Sequence, residues 1–266
     1  MSTFKGIGLR VIISLGLITG LLYLPMPAFS QQAPELQNVI LNGGFEQGFQ
    51  DQFGVGFGWG GFSNGNAVVG WNADTWEKVV IAGESAQMIE IKNATERDRY
   101  AGIYQTVSVV PGQPYKLTIN GLIRSSEGNV EASDYGYRLQ YAVDYDGGTT
   151  WELIEDQAWH ELPWDEQPLD NPPDGVYRFD TFETTIIPKG DKLTLFIRGW
   201  KKWVNNGVGI FNLDEISLVG PAPEGFVAST AQSASTEAAA SPSPAQPAVP
   251  EASLQGAEHS QTMASE

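Results

Sequence analysis

The chain contains 266 residues, of which 41% are hydrophobic, 18% are charged and none is Cys. A sequence without Cys excludes a disulfide framework, a thiol nucleophile, a Cys-ligated zinc site and an iron–sulfur cluster. Because the net charge is −17, the sequence also argues against the cationic surface that a nucleic-acid partner requires.

The first 30 residues have the pattern of an export signal. Lys5 and Arg10 supply a positive start, residues 11–24 are apolar, and Ala28 and Ser30 are small residues before a cleavage site. The apolar run is shorter than the roughly 20 residues of a spanning helix, so we favour cleavage over an uncleaved anchor. The sequence predicts a signal peptide over 1–30, a linker over 31–37, and a secreted or cell-surface protein without stable membrane insertion.

Residues 38–220 contain short alternating or β-branched runs between clusters of Gly, Pro, Asn and Asp. We predict strands at residues 39–41, 78–81, 87–91, 103–109, 115–123, 137–145, 177–187, 192–200 and 208–219. No segment has a convincing 3.6-residue apolar period. The sequence therefore predicts an all-β fold, a single antiparallel β-sandwich jelly roll.

Period two assigns faces to three of these strands. One side of each strand is apolar, and the other side carries aromatic, Arg and amide side chains. If the three strands share a sheet, this second face is chemically suited to sugars. The predicted sugar contacts are Tyr104, Arg138, Gln140, Phe196 and Trp200.

The composition changes over residues 221–266, which contain 12 Ala, 8 Ser and 6 Pro but no Lys or Arg. Such a segment has too little apolar surface to offset the entropy lost on ordering, so we expect a disordered tail. Four prolines between residues 242 and 250 argue against an Ala-rich helix there.

Three motifs occur in order across residues 38–220. They are LNGGFE at residues 41–46, IYQTVSVVPGQPYKL at residues 103–117 and FNLDEISL at residues 211–218. Together they resemble the CenC-type carbohydrate-binding modules, which are secreted β-jelly rolls with a galactose-binding-domain-like fold. The resemblance implies that fold for residues 38–220 and a noncatalytic sugar-binding role.

Glu46 and Asp214 stand at motif positions where this family commonly holds a structural Ca²⁺. The resemblance implies that the two carboxylates, together with backbone carbonyl oxygens, bind Ca²⁺ where the first and last strands meet. Oxygen ligands of this kind are the ones that Ca²⁺ takes. The alternative is a pair of surface carboxylates at strand ends.

The segment 43–70 is rich in Gly and aromatic residues and includes Trp59, which we add to the predicted sugar contacts. A Gly-rich loop can display a ring to solvent, and a ring face stacks on the C–H face of a pyranose. The alternative is that Trp59 folds back onto the sandwich.

Two further segments combine Trp with charged residues. Residues 154–175 form a long, acidic, proline-containing stretch, which either contacts a ligand or covers an edge of the sandwich. Residues 198–203 form a basic and aromatic cluster around Trp200, which either recognises a saccharide or buries an indole ring under a lysine stem.

The sequence therefore predicts an exported, noncatalytic module that binds a polysaccharide or oligosaccharide. A structural or adhesion module that binds protein or cell wall is the alternative. A glycoside hydrolase is less favoured, since it requires two carboxyl groups about 5–10 Å apart across an open cleft. An open aromatic face favours sugar binding, whereas a face covered by residues 154–175 favours the structural alternative.

Overall fold

The computed structural model describes residues 35–50 and 54–228. The predicted signal peptide, and the predicted tail from residue 229 onward, lie outside these residues. Within them, no helix is long and apolar enough to cross a membrane.

The described residues form twelve strands and one short α-helix, α1 (Val130–Ser133). The strands are β1 (Leu36–Asn38), β2 (Gly60–Ser63), β3 (Val68–Asp74), β4 (Ala86–Lys92), β5 (Arg99–Ser108), β6 (Tyr115–Ser125), β7 (Tyr137–Asp144), β8 (His160–Glu161), β9 (Glu166–Pro168), β10 (Asp180–Ile186), β11 (Lys192–Lys201) and β12 (Val208–Pro221). The predicted all-β fold class is confirmed.

The strands form two sheets that pack face to face as a β-sandwich. In the first sheet the order is β10-β6-β12-β4-β3, with β1 along the end of β12 and β9 along β6. In the second sheet the order is β2-β5-β11-β7-β8. Among the described strands, every pairing is antiparallel except the one between β6 and β9.

The core lies between the two sheets. Alternation along each strand sends every second side chain into this space. Ile89 and Ile91 of β4, Ile103 of β5, and Phe211 and Leu213 of β12 are completely buried there. Burial of such apolar surface stabilises the sandwich by about 25 cal/mol per Å².

The first motif meets the last one at a β-bulge in β12. The pairing of β12 with β6 shifts between Asp214 and Ser217, and Glu215 within the shift has a φ of 48°. The amide of Ile216 donates to the carbonyl oxygen of Gly43 at 2.9 Å. A Cβ on Gly43 would lie 1.9 Å from the Ile216 carbonyl oxygen, so this approach requires glycine.

Two predicted strands do not form. In residues 39–41 the side chain of Gln105 makes backbone hydrogen bonds that a neighbouring strand would otherwise supply. It accepts from the Leu41 amide at 2.7 Å and donates to the Leu41 carbonyl oxygen at 2.9 Å. In residues 78–81 the apolar pattern reflects a turn, in which the amide of Val79 donates to Trp76 and the Val79 side chain is buried.

Three strands at the N-terminal side of the domain, β1, β2 and β3, were not predicted. β2 and β3 lie in the Gly-rich segment, where glycines interrupt the alternation that marks a strand. β1 begins at Leu36, inside the predicted linker, and pairs with the end of β12 as far as Pro221. Strand pairing therefore extends slightly beyond the predicted bounds of the domain.

Candidate functional site

The predicted sugar contacts of β5, β7 and β11 share one face of the second sheet, which points away from the core. The strand register sets these side chains side by side: Phe196 opposite Tyr104, Arg198 opposite Gln140, and Trp200 opposite both Arg138 and Tyr100. The structure therefore brings five of the six predicted sugar contacts onto one surface.

The segment between β7 and β8 covers the middle of this face. Trp159 packs edge-on against Phe196, with ring centroids 6.3 Å apart, and Trp151 stacks on Phe62 at 5.3 Å. Phe196 is completely buried and Gln140 is 8% exposed. Because Trp151 and Trp159 cover the middle of the face, this part of the surface favours a structural or adhesion module.

Beyond this cover, the end of the face that carries Trp200 is partly open to solvent. Tyr100 and Trp200 are half-buried neighbours whose ring centroids lie 6.0 Å apart at an angle of 37°. The indole Nε1 of Trp200 donates to the Asp98 carboxylate at 3.0 Å, and Lys202 Nζ lies 4.5 Å from the Trp200 ring centroid. These contacts hold the indole ring in one position at the surface.

Arg198 lies between two aromatic rings at the edge of this open end. Its guanidinium carbon is 3.7 Å from the ring centroid of Tyr100 and 3.6 Å from that of Trp159. Its Nε donates to the side-chain oxygen of Gln140 at 2.8 Å. Burial lowers the pKa of Arg198 to about 10, so the guanidinium stays cationic at neutral pH.

Arg138 holds the residues that directly follow the covering segment, from Glu161 to Asp165, against the sheet. Its Nε donates to Glu161 at 2.7 Å and one terminal nitrogen donates to Asp165 at 3.4 Å. The other terminal nitrogen donates to the Leu162 carbonyl oxygen at 3.4 Å. These partners engage the whole guanidinium, which is why Arg138 is 6% exposed in spite of its place on the outer face.

Trp59 packs into the core, which is the second of the two arrangements considered for it. The side chain is 2% exposed, its ring centroid lies 5.9 Å from that of Phe45, and its Nε1 donates to the Asn42 carbonyl at 3.2 Å. A Cβ on Gly56 would lie 2.6 Å from the Phe45 ring. The glycines thus let this segment close over the rings, and Trp59 does not belong to the solvent-facing residues.

Glu46 and Asp214 both accept hydrogen bonds from the loop before β4. Asp214 accepts from the amides of residues 81 and 82 at 2.8 and 3.3 Å, and Glu46 accepts from those of residues 84 and 85 at 3.0 and 2.9 Å. Burial raises the pKa of Asp214 to about 7, although the backbone amides oppose this shift.

In this conformation the carboxylates of Glu46 and Asp214 accept hydrogen bonds from backbone amides. The part of the chain that the structure describes contains no group of three or more His, Cys, Asp or Glu side chains placed to hold a metal ion. Calcium binding at Glu46 and Asp214 stays a prediction from the resemblance.

Tyr100 is a site residue that the sequence patterns did not reveal, and Trp159 was identified only as part of the segment 154–175, without its place on the sheet. Tyr100 precedes the predicted strand at 103–109, but β5 begins at Arg99, and extending the alternation backward would place Tyr100 on the face of Tyr104. Trp159 lies in a long connection, and no local pattern reports which face of a sheet such a connection crosses.

Comparisons with known proteins found no matching protein family and no matching curated protein. Solved structures with a similar fold include a family 61 carbohydrate-binding module, TmCBM61, in complex with β-1,4-galactotriose, at 14% identity and a TM-score of 0.41 over 68% of this chain and 97% of that chain. A CBM22-1 xylan-binding domain from Paenibacillus barcinonensis Xyn10C matches at 13% identity and a TM-score of 0.39, over 72% and 99% of the two chains. A family 11 carbohydrate-binding module from Clostridium thermocellum, in complex with a β-1,3-1,4-mixed-linked tetrasaccharide, matches at 14% identity and a TM-score of 0.35. The match covers 72% of this chain and 99% of that chain. Similarities at this level do not bear on what the present chain binds.

Proposed function

We propose that this protein is an exported, noncatalytic module that binds a saccharide at the open end of the second sheet. The observation that carries the proposal is the Trp200 ring, which is half-buried beside Tyr100 and fixed by its hydrogen bond to Asp98. A ring held at the surface can stack on the apolar face of a pyranose without first losing conformational freedom.

Polar groups around the ring supply hydrogen bonds for sugar hydroxyls. Asp98 offers carboxylate oxygens and Lys202 offers an ammonium group, and both lie against Trp200. Lys202 is a long, partly exposed side chain, and its contact with the ring contributes about 0.5–1 kcal/mol at an exposed site. A stacking sugar can therefore displace it at small cost.

The test is retention of the purified protein on a panel of insoluble polysaccharides. We expect Trp200→Ala to lower affinity for the retained glycan at least about tenfold, because the stacking surface is lost. Trp203→Ala is the matched control, since Trp203 is a neighbouring indole that already carries Arg97 4.4 Å from its ring centroid. Equal retention of wild type and Trp200→Ala would contradict the proposed site.

A structural or adhesion module is the second candidate. The covered middle of the face supports it, since Trp159 and Trp151 occupy the surface where an extended glycan would otherwise lie. If folded protein is retained by no glycan on the panel, this candidate replaces the first.

A further inference from the structure

Three arginines are almost completely buried in the described residues, and they differ in their partners. Arg124 is 4% exposed and pairs with Asp74 at 2.9 Å, and Arg138 is 6% exposed and pairs with Glu161 at 2.7 Å. Arg198 is 4% exposed, yet no carboxylate of the described residues lies within ion-pairing distance of it. The carboxylate that attracts Arg198 from beyond this distance, Asp156, is exposed to solvent. A buried cation without a paired carboxylate is costly, so this difference calls for a partner.

Both terminal nitrogens of Arg198 are available to such a partner. Only its Nε donates to an acceptor, Gln140, among the described residues. Within the same residues, the one fully buried side-chain polar atom without a hydrogen bond is Glu166 Oε2, so the terminal nitrogens of Arg198 must reach solvent. The terminal nitrogens thus keep a small contact with solvent, while the rings of Tyr100 and Trp159 cover the guanidinium.

The position of this edge is fixed before any ligand arrives. The rings of Tyr100 and Trp159 contact the two faces of the guanidinium, and Gln140 holds the Nε side. Two terminal nitrogens in one plane match the two oxygens of a carboxylate, with which arginine forms paired, charge-assisted hydrogen bonds. Tyr100 also contacts Trp200, so the terminal nitrogens of Arg198 and the proposed stacking ring of Trp200 belong to one surface.

We infer that the saccharide bound at Trp200 is acidic, with a uronate carboxylate seated on the terminal nitrogens of Arg198. This inference rests on the proposed function and names its substrate class. The net charge of −17 repels an anion at long range, but salt screens that repulsion beyond about 8 Å at physiological ionic strength. The contact with Arg198 is made at hydrogen-bond distance, where the local charge dominates.

The first test needs only the wild-type protein. Its affinity is measured by calorimetry for soluble polyuronates, for the same polymers after methyl esterification, and for neutral glycans. Esterification removes the negative charge and keeps the sugar, so we expect it to lower affinity at least about tenfold. Equal binding of the free and esterified polymers would overturn the inference.

The second test replaces the guanidinium of Arg198. We expect Arg198→Gln to remove the preference for the free acid over the ester, because glutamine is uncharged. We expect Arg198→Lys to lower it, because lysine keeps the charge but does not form the paired contact. Arg178→Gln is the control for net charge, since Arg178 is exposed and pairs with Asp180 on the other sheet. Melting curves confirm that each variant is folded.

The outcomes separate this inference from the proposed function. Binding that requires Trp200 but ignores esterification would overturn the acidic substrate and leave the sugar-binding site in place. No binding to any free, esterified or neutral glycan would overturn both.

Discussion

Glu166 shows how strongly one buried carboxyl can depend on its surroundings. The Ser133 hydroxyl donates to one of its oxygens, and the other oxygen has no partner within the described part of the chain. Burial raises the pKa of Glu166 and the charge of Glu127 adds to this, whereas the hydroxyls of Ser125 and Ser133 oppose it. The side chain therefore favours its protonated form more in the folded than in the unfolded state.

This raised pKa predicts a loss of stability with rising pH. Below the ordinary glutamate value of 4.5, Glu166 is protonated in both states and its contribution is fully present. As pH rises, the unfolded chain releases the proton first, so the free energy of unfolding falls until pH passes the folded-state pKa. The loss is about 1.4 kcal/mol for each unit of the shift.

Glu166→Gln removes this titration. We expect its free energy of unfolding, measured with urea between pH 4 and 8, to fall less with pH than that of the wild type. Glu152→Gln is the control, because Glu152 is an exposed carboxyl. Parallel pH profiles for the wild type and Glu166→Gln would show that the shift is absent.

At the scale of elements, the bulge in β12 and the N-terminal motif form one joint. The Gly43 carbonyl accepts from the Ile216 amide, and the backbones approach so closely that a Cβ on Gly43 would overlap Ile216. Moving the two backbones apart would break the hydrogen bond from Ile216 to Gly43.

Gly43→Ala is therefore expected to lower the free energy of unfolding by at least about 2 kcal/mol. Gly190→Ala is the matched control, since the nearest atom to its Cβ would be the Tyr145 carbonyl oxygen at 3.6 Å, an ordinary contact. Denaturant unfolding of both variants gives the comparison. A Gly43→Ala protein as stable as Gly190→Ala would mean that the joint is looser than the structure indicates.

The covering segment between β7 and β8 decides how much of the second sheet a ligand can reach. Arg138 binds Glu161 and Asp165 directly after this segment, and Trp159 of the segment packs against Phe196. The accessible surface is thereby restricted to one end of the face. A binding site confined in this way favours a short stretch of glycan over a long one.

At the scale of the whole molecule, calcium is the prediction that bears on how the two ends of the domain are held. An ion that binds only the folded state stabilises it by about 2.7 kcal/mol when its concentration is 100 times its dissociation constant. We therefore expect the melting temperature in calcium to exceed that in EDTA, and Asp214→Asn to remove the difference. Asp146→Asn, which changes a carboxylate in a turn at the end of β7, should keep it.

Identical melting curves in calcium and in EDTA would rule out the predicted site. Glu46 and Asp214 would then act only as acceptors for the amides of residues 81–85, as the structure shows them.

The sequence by itself determined the fold class and most of the strands. Alternation with period two is a local property, so it was readable in β5, β7 and β11 before any tertiary contact was known. The same alternation correctly grouped Tyr104, Arg138 and Phe196 on one face. It failed where glycines interrupt the pattern, as in β2, and where a side chain replaces a strand, as Gln105 does.

Only the tertiary structure decided which of these residues face solvent. Trp59 lies in the core and Phe196 lies under Trp159, because segments distant in sequence close over them. The lack of a salt bridge at Arg198 among the described residues is equally a property of the assembled sheet, since it depends on which side chains the neighbouring strands bring near. Periodicity reports the direction of a side chain from its own strand, whereas exposure and charge pairing depend on everything that packs above it.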